Sequence, residues 1–190
     1  MPHPRRVSPI SAPHMIIGYH GCSRQTAETV LTENRFLMST NSYDWLGEGI
    51  YFWEYAPFRA LEWARERCQR EHLEPAVLRV TVHLGQCLNL LDREHFDALD
   101  AVYTRVAQNI PAHLMPRNNA RGAHHLDRSI IDAYCRFTQE ETNTPFQTIR
   151  GCFPEGEPIY PDSKLLKKTH TQIAVRDSSC ISQVRLVQFP

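Results

Sequence analysis

The sequence predicts one domain of the α+β class. Alternating apolar and polar segments, the period of strands, interleave with segments of helical spacing early in the chain, and strands dominate its end. A doubly wound fold would instead repeat strand and helix throughout. The chain has 190 residues, 42% of them hydrophobic and 22% charged. That is enough for one packed core and too little for two comfortable ones.

The first 14 residues hold Pro2, Pro4, Pro9 and Pro13 beside Arg5 and Arg6 and read as a flexible lead, so the domain is expected over 15-190. Met15 to His20 is an apolar run suited to a buried strand. Ser23 can cap a short helix reaching about Glu33, with Ala27, Val30 and Leu31 facing inward. Phe36 to Ser39 predicts a short strand, and Asn41 to Gly49 is turn-like, with Gly47 and Gly49 bracketing Glu48. Ile50 to Trp53 reads as an aromatic strand. Pro57 suits the first residue of a helix, continued by Ala60, Leu61, Ala64 and Cys68 to about His72.

Ala76 to His83 alternates cleanly and predicts a half-buried strand: Leu78, Val80 and Val82 on one face, Arg79, Thr81 and His83 on the other. Cys87 to Leu91 continues as strand. A helix over Arg93 to Gln108 carries the stripe Phe96, Leu99, Val102, Tyr103 and Val106, and a weaker one covers about Asp127 to Thr138. A polar loop from Gly151 to Lys168 follows, then two closing strands, Thr171 to Arg176 and Gln183 to Phe189.

Lys+Arg and Asp+Glu both number 21, so the net charge is zero, which argues against a strongly polyanion-steered protein. No apolar run approaches the roughly 18 residues that span a bilayer, and the lead lacks the apolar stretch of a secretory signal, so a cytoplasmic protein with no membrane partner is expected. The six cysteines form no CxxC pair and read as reduced, mostly buried thiols. Ten histidines include no HExxH; the adjacent His124 and His125 diverge on any regular element, so no metal is expected.

Three segments can carry chemistry. In Gly18-Tyr19-His20-Gly21-Cys22-Ser23, a histidine at a strand end is followed by glycine, offering a ring and unobstructed backbone to a ligand. In Trp45 to Trp53, two glycines precede a cluster of aromatics, and Tyr51 could present a flat stacking surface opposite in facing to Ile50 and Phe52. This is no phosphate loop, since the Lys-Ser/Thr of a P-loop is missing. In His170 to Asp177, Gln172, Ala174 and Arg176 share one strand face, with Ile173 and Val175 on the other. Each segment alone is better explained by an ordinary core or a solvated face.

Together, in this order, they resemble the ADP-ribosyltransferases of the diphtheria-toxin and poly(ADP-ribose) polymerase type. Tyr19-His20-Gly21 resembles the first motif of that family, Gly47-Glu48-Gly49-Ile50-Tyr51-Phe52 its second, and Gln172-Ile173-Ala174-Val175 stands in the place of its third. The likeness covers about residues 15 to 91 and 169 to 189; the stretch from about 92-150 looks like a helical insertion. The resemblance implies a split β-sandwich with flanking helices and NAD as substrate. It implies that His20 hydrogen-bonds a ribose hydroxyl, Gly21 holds the nicotinamide carboxamide through its backbone, and Tyr51 stacks on the nicotinamide ring. Ser39 would steady the pocket, and Tyr43, or alternatively Trp45, would stack from a lid.

The departure is Gln172, where most active members carry Glu. Cleavage of the nicotinamide–ribose bond builds positive charge on the ribose; a glutamine keeps an acceptor oxygen but brings no charge, and cannot deprotonate a nucleophile. The resemblance therefore implies a mono-ADP-ribosyltransferase that modifies a macromolecular acceptor, with Glu155, Glu157 or Asp177 as substitute acids. The alternatives are an inactive NAD- or partner-binding module on the same fold, and a nucleic-acid-modifying toxin or antiviral effector with an antitoxin or inhibitor partner. The 151–168 loop, with Lys164, Lys167 and Lys168, is the expected reader of the acceptor. Arg117, Arg121 and Arg128 are as well explained by a solvated face.

Overall fold

The computed structural model describes residues 15–41, 44–117 and 124–190; the N-terminal lead, Tyr43 and Arg121 lie outside them. The chain runs β1 (Met15–Ser23), α1 (Arg24–Glu33), β2 (Ile50–Glu54), α2 (Pro57–Glu71), β3 (Pro75–His83) and β4 (Cys87–Asn89). Then come α3 (Phe96–Asn109), α4 (His125–Thr142), β5 (Thr148–Phe153), β6 (His170–Val175) and β7 (Ile181–Leu186). All strands join one seven-stranded sheet in the order β4-β5-β6-β2-β1-β3-β7. The α+β class is confirmed.

Local chemistry sets the boundaries. The Ser23 side chain accepts from the Thr26 amide and caps α1. Pro57 opens α2, where its missing amide is one the helix could not have bonded. Leu31, expected inside, faces solvent at the last turn of α1. Phe36 to Ser39 is no strand: only Ser39 pairs, in an isolated bridge to Gly49, while Leu37 and Met38 stand exposed with no neighbouring strand to hold them. Of the α3 stripe, Val102 is buried while Phe96 and Tyr103 remain exposed.

The expected loop from Gly151 begins later, because β5 runs through Gly151 and pairs with β4 and β6. The helical stretch thus ends before Thr148. Strand β3, expected to be half-buried, is covered on both faces: Leu78, Val80 and Val82 enter one core with Ile16 and Phe52, while Val77 joins Trp53, Ala60 and Leu61 in another.

The second face of the sheet positions the site. At one end α2 lays Ala60 and Leu61 on Val77 and Trp53. At the other, α4 lays Ile131 and Cys135 on Leu88, Ile149 and Ala174, with Val102 of α3 packed behind against Ile130 and Ala133 of α4. Between the two helices the sheet floors a cleft. All six cysteines are free thiols and four are buried. No helix among the described residues is long and apolar enough to cross a membrane.

A bidentate ion pair ties the sheet across β6: Arg150 on β5 donates to both oxygens of Glu54 on β2 at 2.6 Å. The Glu54 side chain is 7% exposed. Removing one partner strands the other charge out of water. Glu54→Ala should therefore cost about 3 kcal/mol of unfolding free energy, measured by urea denaturation; a loss below about 1 kcal/mol would match a surface pair instead.

Candidate functional site

The site is built where two strands part. β1 and β2 pair only through Gly18 with Glu54 and Tyr19 with Trp53. Continued by two residues, that register would set Gly21 opposite Tyr51. Instead, β1 stays paired with β3 through Ser23, and the ladder to β2 stops. The His20 imidazole fills the break: its Nδ1 lies 2.9 Å from the Tyr51 carbonyl oxygen and donates to it. The ring is braced edge-on by Phe36 at 5.4 Å and by Phe52 at 5.7 Å. Gly21 lies so close to α2 that a Cβ there would collide with the Ala60 carbonyl oxygen; only glycine lets β1 and α2 approach this far.

From this break opens a cleft of about 680 Å³. His20, Gly21, Ser39, Tyr51 and Gln172 all line it, as does Trp45. The residues singled out from three distant segments are thus brought together; Tyr43 lies outside the described residues. Tyr51 and Trp53 on β2, with Gln172 and His170 on β6, form the floor, Gln172 standing opposite Trp53 in register.

Tyr51 is held at both ends. Its hydroxyl donates to the Gly47 carbonyl at 2.7 Å and accepts from the Leu46 amide at 2.9 Å. Burial, aided by the nearby Asp44 carboxylate, pushes this phenol far above its ordinary range. It is an anchor that fixes the ring plane, not an acid or base. Gly47 adopts φ +82°, and a side chain there would strike Asp132 on α4. Asp132 is gripped by Arg176 at 3.0 Å and Arg128 at 3.4 Å. Arg128 also binds the Asn41 carbonyl oxygen, so this arginine clamps the loop before β2 and is no solvated face.

Burial lowers the His20 pKa, opposed by its bond to the Tyr51 carbonyl. The ring is neutral at pH 7 with its proton on Nδ1, which leaves Nε2 as an acceptor. Ser39 donates from Oγ to Asp44 at 2.8 Å and receives Asn41 Nδ2 at 2.8 Å. Asp44 is 8% exposed and lines the cleft; burial raises its pKa, countered by the Ser39 hydroxyl and Arg128.

Of the three acids expected to substitute for a missing glutamate, only Glu155 lines the cleft, and Arg59 holds it at 3.1 Å. Glu157 is exposed outside it. Asp177 borders a separate groove, taking Gln147 Nε2 and the Ser179 amide at 3.0 Å. The 151–168 loop is pinned to α2: Lys168 bridges Glu62 at 3.2 Å and Glu66 at 2.9 Å.

Sequence reasoning missed Asp44, Arg59 and His170. Two signals were present. His170 sits two residues before Gln172, on its face of the strand. Arg59 is a cation in the first turn of a helix, where the dipole disfavours it; it is held there by Glu62 and Glu155.

No protein-family model matches the sequence. It is similar to an uncharacterized protein of the archaeon Methanocaldococcus jannaschii, MJ0359, at 26% identity over 141 residues, or 72% of this chain. The match spans 64% of that protein's length. No solved structure matches.

His20 and His170 are both held neutral by burial. The unfolded chain protonates them near 6.5, the folded one only at lower pH. Their contribution to stability is therefore full above that value and lost as the pH falls below it. The thermal midpoint should drop between pH 7 and about pH 5, and the double variant His20→Gln, His170→Gln should flatten that drop. An equally steep drop in the variant would assign it to other groups.

Proposed function

We propose that this chain is an NAD-dependent mono-ADP-ribosyltransferase, its one seven-stranded sheet standing in for the split β-sandwich of that family. The observation that supports it best is the His20–Tyr51 bond at the head of a cleft that Gln172 also lines. On this reading the parting of β1 from β2 is the split, and the nicotinamide stacks on the Tyr51 ring. The ribose hydroxyls reach His20 Nε2, a neutral acceptor that does not repel a cationic nicotinamide. Gly21 admits the carboxamide to the backbone beside α2, and Ser39 steadies the far wall through Asp44.

The bond to break joins the ribose anomeric carbon to the nicotinamide nitrogen. Its electron pair goes to the pyridinium as the ribose gains positive charge. Gln172 orients ribose hydroxyls through its amide oxygen without neutralising that charge. The buried carboxylate of Asp44 accepts from Ser39 and has no cation at contact distance among the described residues, and it acts on that charge through space.

Gln172 also favours a second reading, a module that binds NAD without turnover. One substitution separates the two. NAD would be incubated with the protein and nicotinamide release followed by chromatography. His20→Ala and Tyr51→Ala should each lower release about 100-fold. Gln172→Glu should raise it by about 30- to 1,000-fold, the equivalent of roughly 2–4 kcal/mol. Release from Gln172→Glu but none from the parent favours the binding module. If neither releases nicotinamide, and calorimetry detects no NAD binding, the transferase reading is wrong.

A further inference from the structure

We propose that the cleft wall beyond Gln172 is an acceptor subsite for a hydroxyl group, with His170 as the base that takes its proton. The proposal rests on the transferase reading and adds to it the chemical class of the acceptor. Three polar atoms of the lining residues are buried without a hydrogen-bond partner among the described residues: Trp53 Nε1, Arg59 Nε and His170 Nε2. His170 is only 7% exposed and Trp53 only 4%. Native structures seldom leave such atoms unpaired, so each one calls for an occupant.

The three belong to one corner. Gln172 faces Trp53 across the β2–β6 ladder, and His170 lies two residues before it on the same face of β6. The Trp53 and His170 rings are 6.4 Å apart. Arg59 and His170 both meet Glu155, at 3.1 Å and 3.7 Å. His170 Nδ1 donates to the Lys168 carbonyl at 2.6 Å, which places the ring proton there and leaves a lone pair on Nε2.

The corner therefore offers two donors and one acceptor. A hydroxyl has one proton to give and two lone pairs to fill. A guanidinium has donors only and would leave Trp53 Nε1 and Arg59 Nε without an acceptor; a carboxylate has no proton for Nε2. The charge on Arg59 faces His170, with Glu155 between them, and both are spent on each other. The Trp45 ring lies nearly parallel to His170 with its centre 6.4 Å away, and forms the facing wall of the subsite.

The step balances. The acceptor oxygen forms its bond to the ribose anomeric carbon as the bond to nicotinamide breaks, and nicotinamide leaves with the electron pair. The hydroxyl proton passes to His170 Nε2, and the imidazolium then releases it to water. Gln172, which cannot take a proton, is relieved of that role by a neighbour two residues away.

The test uses the whole chain, NAD and N-acetylserinamide as the hydroxyl probe, with agmatine and acetate as guanidinium and carboxylate probes, and mass spectrometry of the products. The expected result is an ADP-ribosyl adduct on N-acetylserinamide and none on the other two. His170→Ala and His170→Gln should each lower adduct formation about 100-fold or more, and free imidazole should restore adduct to His170→Ala, where it finds the vacated space, but not to His170→Gln. Adducts on agmatine or acetate, or unchanged yield in both His170 variants, would overturn the subsite while leaving NAD cleavage standing. NAD cleaved to water alone in saturating N-acetylserinamide would also overturn it. A wild-type protein that neither binds nor cleaves NAD removes the transferase reading itself.

Discussion

The hydrogen bond from the His20 imidazole to the Tyr51 carbonyl is the constraint around which the site is organised. A carbonyl on a central strand must be paired. Here its natural partner, the backbone of β1, has turned away with β3. The imidazole satisfies that carbonyl in place of an amide and, being longer than an amide, holds the strands apart. One bond thus terminates a ladder, opens a cleft and fixes the tautomer of the ring at its edge. The rest of the site is arranged to keep the gap: Phe36 and Phe52 brace the ring, and Gly21 lets α2 close down beside it.

The electrostatics of the cleft follow from burial more than from charge. His20 and His170 are neutral, the Tyr51 hydroxyl stays protonated, and the Glu155 charge is met by Arg59. Asp44 is the exception, a buried carboxylate beside Ser39. Arg128 tempers that charge from a distance, and a partly buried charge reaches further than one in open water. A site with this balance suits a ligand that becomes more positive during reaction, which is why Gln172 lowers catalytic power in the proposed chemistry without excluding it.

Much of this was legible in the sequence, and the misses share a physical cause. Helix starts at Ser23 and Pro57 were visible because capping is local chemistry. The inward and outward facing of Ile50, Tyr51 and Phe52 was visible because strand alternation is strict. Strand β5 was not, since Gly151 looks like a turn when its partners on β4 and β6 are unknown. The double-sided burial of β3 was hidden for the same reason: Val77 and Thr81 are covered by elements far along the chain. At the site, residues carried by the three motifs were found, whereas Asp44, Arg59 and His170 acquire meaning only from their distant partners.

The helices between β4 and β5 bear on the site through the same logic of distant partners. They hold none of the residues at the head of the cleft, yet α4 covers the opposite end of the same face. Asp132 receives Arg128 and Arg176 and sits against Gly47, while Arg128 reaches the carbonyl oxygens of the loop before β2. That loop presents the Leu46 amide and the Gly47 carbonyl to the Tyr51 hydroxyl. The plane of the Tyr51 ring is therefore set at one end by its own strand and at the other by an ion network on α4. A segment that resembled an addition to the fold is mechanically continuous with its most specific motif, because a phenol anchored at only one end would not hold a flat face to a ligand.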